Sequence, residues 1–315
     1  MHAKTKTKIE TETGTETQTK TARAPIGLIS SAASGRLLKD RREQQVATPW
    51  GTACVLTGQI GGREAAVVLR YGQKLTVPSH KINYRANIWA LRELGVERII
   101  SQNAIGSVNP AVRPGDIMIS HDFLDRTKGR PLSLFDDAEC WVRVDMTEPF
   151  CPEVRQSLLA ATATMPDRVL DRGVFACVEG PRFETPAEIR ALQREGADIV
   201  GTPLVPEVTL AREAEMCFAS IAPVINYGAG MAPAVIHVGP GSMNDAYYAG
   251  GLHDRIEQAL IDAVGHLPDH RGCRCGLALR GGFHGQRPAW LKYCSLDDQP
   301  EATQDMASVL AEHAA

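Results

Sequence analysis

Gly173-Val174-Phe175-Ala176-Cys177-Val178-Glu179-Gly180-Pro181-Arg182-Phe183-Glu184-Thr185 is the stretch on which the fold turns. Val174 to Val178 is a short, almost wholly apolar run of the kind that makes a buried strand. Glu179-Gly180-Pro181 breaks it. Thr185-Pro186-Ala187-Glu188 then carries the marks of a helix start: a capping side chain, a proline at the first helical position and a carboxylate three residues on. The pattern predicts a helix running to about Glu195. Phe183 and Glu184 therefore stand at the mouth of a strand-loop-helix unit, where α/β proteins place ligand groups. A ring beside a carboxylate can stack on a flat heterocycle and accept a ring N–H. The bland alternative is a Phe packed under the loop and a solvated Glu.

Working outward, strands and helices alternate. Pro25 to Ile29 reads as a first strand, followed by the small-residue loop Ser30-Ser31-Ala32-Ala33-Ser34-Gly35, a type that lets backbone N–H groups approach an anion. Ala53 to Ile60 and Glu64 to Arg70, joined at Gly61-Gly62, read as a hairpin ending in Arg70-Tyr71-Gly72. Ile82, Ala86, Trp89 and Ala90 recur at helical spacing, and Gly95 stops that helix. Arg98 to Ser101, Ile117 to Ile119, Asp198 to Gly201 and Cys217 to Ile225 read as further strands. Helices are expected to open at Pro152 and Pro206, ending near Ala163 and Glu215. His121 to Pro149 shows no periodicity and reads as a long functional loop. Alternation of this kind implies an α/β fold around a buried, mostly parallel sheet.

Composition narrows the class. The chain has 315 residues, 43% hydrophobic and 23% charged, with a net charge of −3. That balance gives no broad electrostatic footing for nucleic acid or an anionic membrane. No apolar run reaches bilayer length, and no apolar leader opens the chain. A cytoplasmic location is expected. Residues 1–24, alternating Thr with Lys, Glu or Gln, read as a disordered tail. One domain is expected over 25–267, and 268–315, rich in Gly and Arg, reads as a flexible extension. Cys54, Cys140, Cys151, Cys177 and Cys217 read as small core residues in a reducing compartment. Cys273-Arg274-Cys275, with His270 and His284 nearby, has no recognised zinc spacing, so no metal site is expected.

With these pieces placed, the chain resembles the purine nucleoside phosphorylase family, most closely its methylthioadenosine and methylthioinosine phosphorylase branch. Lys81 to Leu91, Asn103 to Ser107, Pro114-Gly115-Asp116, Asp122 to Arg130, Glu148 to Pro152, Glu179 to Phe183, Val205-Pro206-Glu207 and Leu210 to Glu213 carry the resemblance, in the family's order. It implies a three-layer αβα sandwich with a mixed, mostly parallel central sheet, assembled as a homotrimer. The implied reaction is phosphorolysis: phosphate attacks the anomeric carbon of a purine nucleoside through an oxocarbenium-like transition state. Phosphate is then a co-substrate, and neither metal nor organic cofactor is required.

By the same resemblance, Phe183 stacks on the purine, Glu184 accepts N1–H of a 6-oxopurine, and Asn226 faces O6 and N7. An amide can donate to an oxo group or a leaving anion whereas a carboxylate cannot, so hypoxanthine or guanine is expected over adenine. On the anion side the chain departs from the family. Ala32 stands where relatives have a phosphate-binding Thr, and Tyr71 and Leu75 stand where they have His. Thr202-Pro203 replaces Met followed by Thr or Ser under the ribose and phosphate. Arg70 and Asn103-Ala104 remain as implied phosphate contacts, with Ser31, Ser34 and Tyr71 as substitutes. Arg143 replaces a His near the sugar 5′ end; His237 and His253 align there only loosely. Hydrolysis, a different anionic acceptor, and a non-catalytic purine-binding protein stand as alternatives.

Overall fold

In a computed structural model the described residues are 25–232, 245–291 and 294–295. The tail at 1–24, His237 and residues 296–315 lie outside them. The elements run β1 (Ile26–Ser30), β2 (Lys39–Thr48), β3 (Gly51–Ile60), β4 (Arg63–Leu69), α1 (Tyr84–Glu93), β5 (Arg98–Gln102), β6 (Ile105–Ser107), β7 (Ile117–Ile119) and β8 (Asp122–Arg126). They continue β9 (Cys140–Val142), α2 (Pro152–Thr162), β10 (Val169–Leu170), β11 (Val174–Val178), α3 (Pro186–Arg194), β12 (Ile199–Gly201), α4 (Glu207–Glu213), β13 (Cys217–Tyr227), α5 (Leu252–His266) and β14 (Phe283–Gly285).

A 12-stranded sheet runs β2-β3-β4-β1-β5-β13-β6-β12-β11-β8, with β7 joining β13 and β10 joining β7. Most pairings are parallel. The antiparallel ones are β2 with β3, β3 with β4, β6 with β12, and β7 with β13. Helices cover both faces, as the parallel strands demand. Tyr84, Ile88 and Leu91 of α1 and Val208 and Ala211 of α4 pack one face; Val154 and Leu158 of α2 and Ile256, Leu260 and Val264 of α5 pack the other. This is the expected αβα sandwich. The capping box on α3 forms as predicted: Glu188 N donates to Thr185 Oγ1 and Thr185 N to a Glu188 carboxylate oxygen at 2.7 Å. Arg182 also donates to Glu188 and, with the cap N–H, holds its carboxyl down at about 2.

Three elements depart from the sequence reading. β2 was not foreseen, because Lys39 to Gln45 is polar throughout; it is an edge strand most of whose side chains stay in water, with Val46 packed against the core. The expected long loop at 121–149 contains β8, which pairs in parallel with β11, and β9. The third departure corrects the flexible extension. Residues 268–291 are packed onto the domain: β14 pairs antiparallel with β9, and Leu279 is fully buried. Trp290 meets Trp89 at 5.0 Å and Trp50 at 5.3 Å, ring centre to ring centre. Hydrophobic periodicity is blind to such a segment because it packs through isolated anchors rather than a regular face.

Candidate active site

β11, β12 and β13 deliver the site residues from their C-terminal ends or the loops that follow. Asn226 lies near the end of β13, where a register shift between Val224 and Asn226 sets it opposite Gly106 of β6. A Cβ at Gly106 would stand 3.1 Å from Asn226 Nδ2, a tight approach that would press on the carboxamide. The loop after β11 turns at Gly180, with φ +67°, where a Cβ would meet Ser79 Oγ at 2.7 Å and Thr202 Cγ2 at 3.0 Å. The loop then carries Phe183 and Glu184 to the start of α3.

These pieces enclose a cavity of about 320 Å³ that gathers Tyr71, Ala104, Phe183, Glu184, Thr202 and Asn226. A cavity of that size holds a small ligand. A neighbouring cavity of about 400 Å³ lies along α3 and shares Arg182 and Glu184, but none of the other expected site residues. Phe183 remains 46% exposed. Burial raises the Glu184 carboxyl above the usual carboxylate range. Asn226 Nδ2 donates to Tyr227 O at 2.9 Å, which fixes the orientation of the amide.

The structure does not bring Arg70, Ser31 or Asn103 to this cavity. Arg70, expected as the phosphate clamp, is buried and committed to protein partners. Its Nε and Nη2 grip the two carboxylate oxygens of Glu207 at 2.8 and 3.0 Å, and Nη1 and Nη2 reach Gln102 O and Ser101 Oγ, each at 2.8 Å. A bidentate, buried ion pair of this kind braces β4, β5 and α4 and leaves the guanidinium little capacity for an anion. Asn103 is likewise spent inside, donating to Ser220 Oγ at 3.1 Å; what its segment offers the cavity is Ala104. The loop holding Ser31 is drawn toward α5, where Ser34 donates through N and Oγ to Glu257 at 3.1 and 2.6 Å. His253 also lies on α5, within 4.0 Å of Glu257.

Sequence reasoning passed over Glu207 and Arg130. Arg130 is buried and donates to Val178 O, Glu179 O, Thr202 O and Val205 O, pinning the loops after β11 and β12 together. Both residues sit inside the segments that carried the family resemblance, and that was their only signal.

An exposed ring, a half-buried carboxylate and an oriented amide thus line one cavity at the strand ends of a mixed αβα sandwich. The chain belongs to the phosphorylase superfamily, whose family model matches residues 25–262. It is 44% identical over 257 residues to a probable 6-oxopurine nucleoside phosphorylase of Thermococcus kodakarensis, covering 78% of this chain and 92% of that one. It is 42% identical over 260 residues to a probable S-methyl-5′-thioinosine phosphorylase of Methanothermobacter thermautotrophicus, covering 81% and 86%. Among solved structures, a methylthioadenosine phosphorylase from an Antarctic soil metagenomic library superimposes with a TM-score of 0.77 at 30% identity, over 84% of this chain and 93% of that one.

Proposed function

We propose that this protein is a pentosyltransferase that cleaves the N-glycosidic bond of a 6-oxopurine nucleoside, with phosphate as nucleophile. Inosine, guanosine and 5′-modified nucleosides such as methylthioinosine are the substrate class. The observation that carries the reading is the convergence of Phe183, Glu184 and Asn226 on one cavity. Phe183 stacks on the base, Glu184 accepts N1–H, and the Asn226 amide donates to the purine as negative charge gathers on it during bond cleavage. Stabilising that charge is worth more in the transition state than in the ground state, which is what accelerates the reaction. Thr202 sits where the sugar would lie. The Tyr71 hydroxyl and the Ala104 N–H are the donors nearest to hand for phosphate. No metal or organic cofactor enters the scheme.

We read the assembly as a homotrimer in which a neighbouring copy covers the exposed ring of Phe183, and the location as cytoplasmic; among the described residues no helix is long and apolar enough to cross a membrane. One observation favours a second reading within the same class. Arg70 is held by Glu207, and Ala32 and Pro203 bring no hydroxyl, so water or a different anion could serve as acceptor. Purine release from inosine, guanosine, adenosine and their methylthio analogues, with and without phosphate, separates the cases. Release from the 6-oxo substrates only with phosphate is the expected result. Release without phosphate establishes a hydrolase, and purine binding without release a non-catalytic binder.

A further inference from the structure

We propose that Cys151, Cys217, Cys273 and Cys275 form a structural tetrathiolate site for one Zn²⁺ ion, which ties the C-terminal segment to the sandwich. No spacing in the sequence announces it, because the four residues come from three separate segments. Cys151 caps the N-terminus of α2, Cys217 opens β13, and Cys273 and Cys275 flank Arg274 in the turn after α5. The four Sγ atoms all lie within 4.8 Å of one another, and Cys217 and Cys273 approach to 3.3 Å. A Zn–S bond of about 2.3 Å gives a tetrahedron with S···S edges of ~3.8 Å, so the cluster has the size of one ion's coordination shell. Four thiolates are a soft donor set suited to zinc, and four protein ligands make a closed, structural site.

The surroundings are arranged for the charge such a site carries. Binding releases four thiol protons to solvent and leaves a net charge of −2 on the ion and its thiolates. Arg212 Nη1 donates to Cys275 Sγ at 3.4 Å. Arg98 is the register partner of Cys217 on β5, so its side chain leaves the sheet on the same face. It is only 2% exposed, and its Nε and Nη2 meet no hydrogen-bond partner among the described residues. A buried guanidinium left in that state is costly unless an anion lies nearby, and the thiolate cluster is that anion. Cys151 at the head of the 11-residue α2 also places a thiolate at a helix N-terminus. The Cys273–Cys275 turn is held from behind by Gly272 N, which donates to Glu153 at 2.7 Å, and by Arg271, which donates to Glu215 O at 2.8 Å.

The site stands apart from the substrate cavity. Cys217 begins β13 and Asn226 lies near its end, nine residues and ~30 Å along an extended strand. Its work is therefore mechanical, clamping residues 271–275 to α2 and β13.

Full-length protein purified under reducing conditions is predicted to contain about one zinc per chain by elemental analysis, released as a mercurial titrates the thiols. Co²⁺ exchanged into it should give the visible ligand-field and near-ultraviolet charge-transfer bands of a tetrahedral tetrathiolate. Cys273→Ser with Cys275→Ser should lose the zinc, and a zinc chelator should lower the Tm of the parent protein but not of this variant. The metal content of the parent is decisive even if the variant fails to fold. Protein without zinc whose four thiols all alkylate overturns the proposal. So does zinc-free protein whose mass shows these cysteines joined in disulfides, or iron in the zinc's place.

Discussion

At Glu184 two demands meet. To accept N1–H of a 6-oxopurine the side chain must be ionised, yet its partial burial raises the carboxyl above the usual range. The working form is the carboxylate, so kcat/KM for inosine should fall as pH drops through that raised value, not through the ordinary glutamate value near 4.5. Glu184→Gln should lower kcat/KM about 10- to 100-fold, the worth of one charged hydrogen bond, and remove the acid limb. An unchanged acid limb would take Glu184 out of the base site. A second residue-scale test addresses phosphate. Ala32 follows β1 in a loop that carries no hydroxyl at that position. Because the structure draws this loop toward α5 and away from the cavity, Ala32→Thr should leave the KM for phosphate unchanged. A KM for phosphate lowered about 10-fold would show instead that the loop reaches the anion, since one added hydrogen bond to an anion is worth about 1.5–3 kcal/mol.

Among the elements, what could be read from sequence was whatever repeats or caps. The β11-loop-α3 unit was legible to within a residue because Thr185, Pro186 and Glu188 encode its turn chemically. Strands β1, β4, β5 and β13 were legible because each carries a short apolar run that is buried on both faces. The polar edge strand β2 and the anchors of the C-terminal segment were not, since neither presents a period. The base side of the site followed from its loop, whereas the true occupation of Arg70 did not. That depends on Glu207, 137 positions away, closing on it in space. The C-terminal segment gives an element-scale prediction. Trp290, wedged between Trp50, Trp89 and Phe135 and only half-buried, ties the C-terminal segment to α1 and the 130s loop. Trp290→Ala should cost about 2–3 kcal/mol, less than the ~3–5 kcal/mol of a fully buried aromatic truncation, measured as a shift in denaturant midpoint. A midpoint within error of the parent would mean that 276–291 adds nothing to the domain's stability.

Across the whole molecule, stability is coupled to pH through carboxylates that the fold buries for structural reasons. Glu213, at the end of α4, is 5% exposed and accepts a hydrogen bond from Leu134 N at 2.7 Å. Desolvation outweighs that bond and raises its carboxyl to about 7. The native state therefore holds this proton more tightly than the unfolded chain does. Where the native state binds more protons, unfolding free energy falls as pH rises. The stabilisation is present below the unfolded value near 4.5 and is lost as pH climbs through about 7. Integrated over that window, it amounts to roughly 3 kcal/mol. Salt-bridged Glu188, with its carboxyl held at about 2, acts in the opposite sense and weakens the protein only at strongly acid pH. The two windows do not overlap, so a single substitution separates them. Glu213→Gln keeps an acceptor for Leu134 N and removes the proton, so denaturation midpoints measured from pH 5 to 8 should decline less steeply than in the parent. If the two proteins lose stability in parallel over that range, Glu213 is already ionised at pH 5 in the native state. The pairing of α4 with the 130s loop would then rest on a charged hydrogen bond instead of a neutral one.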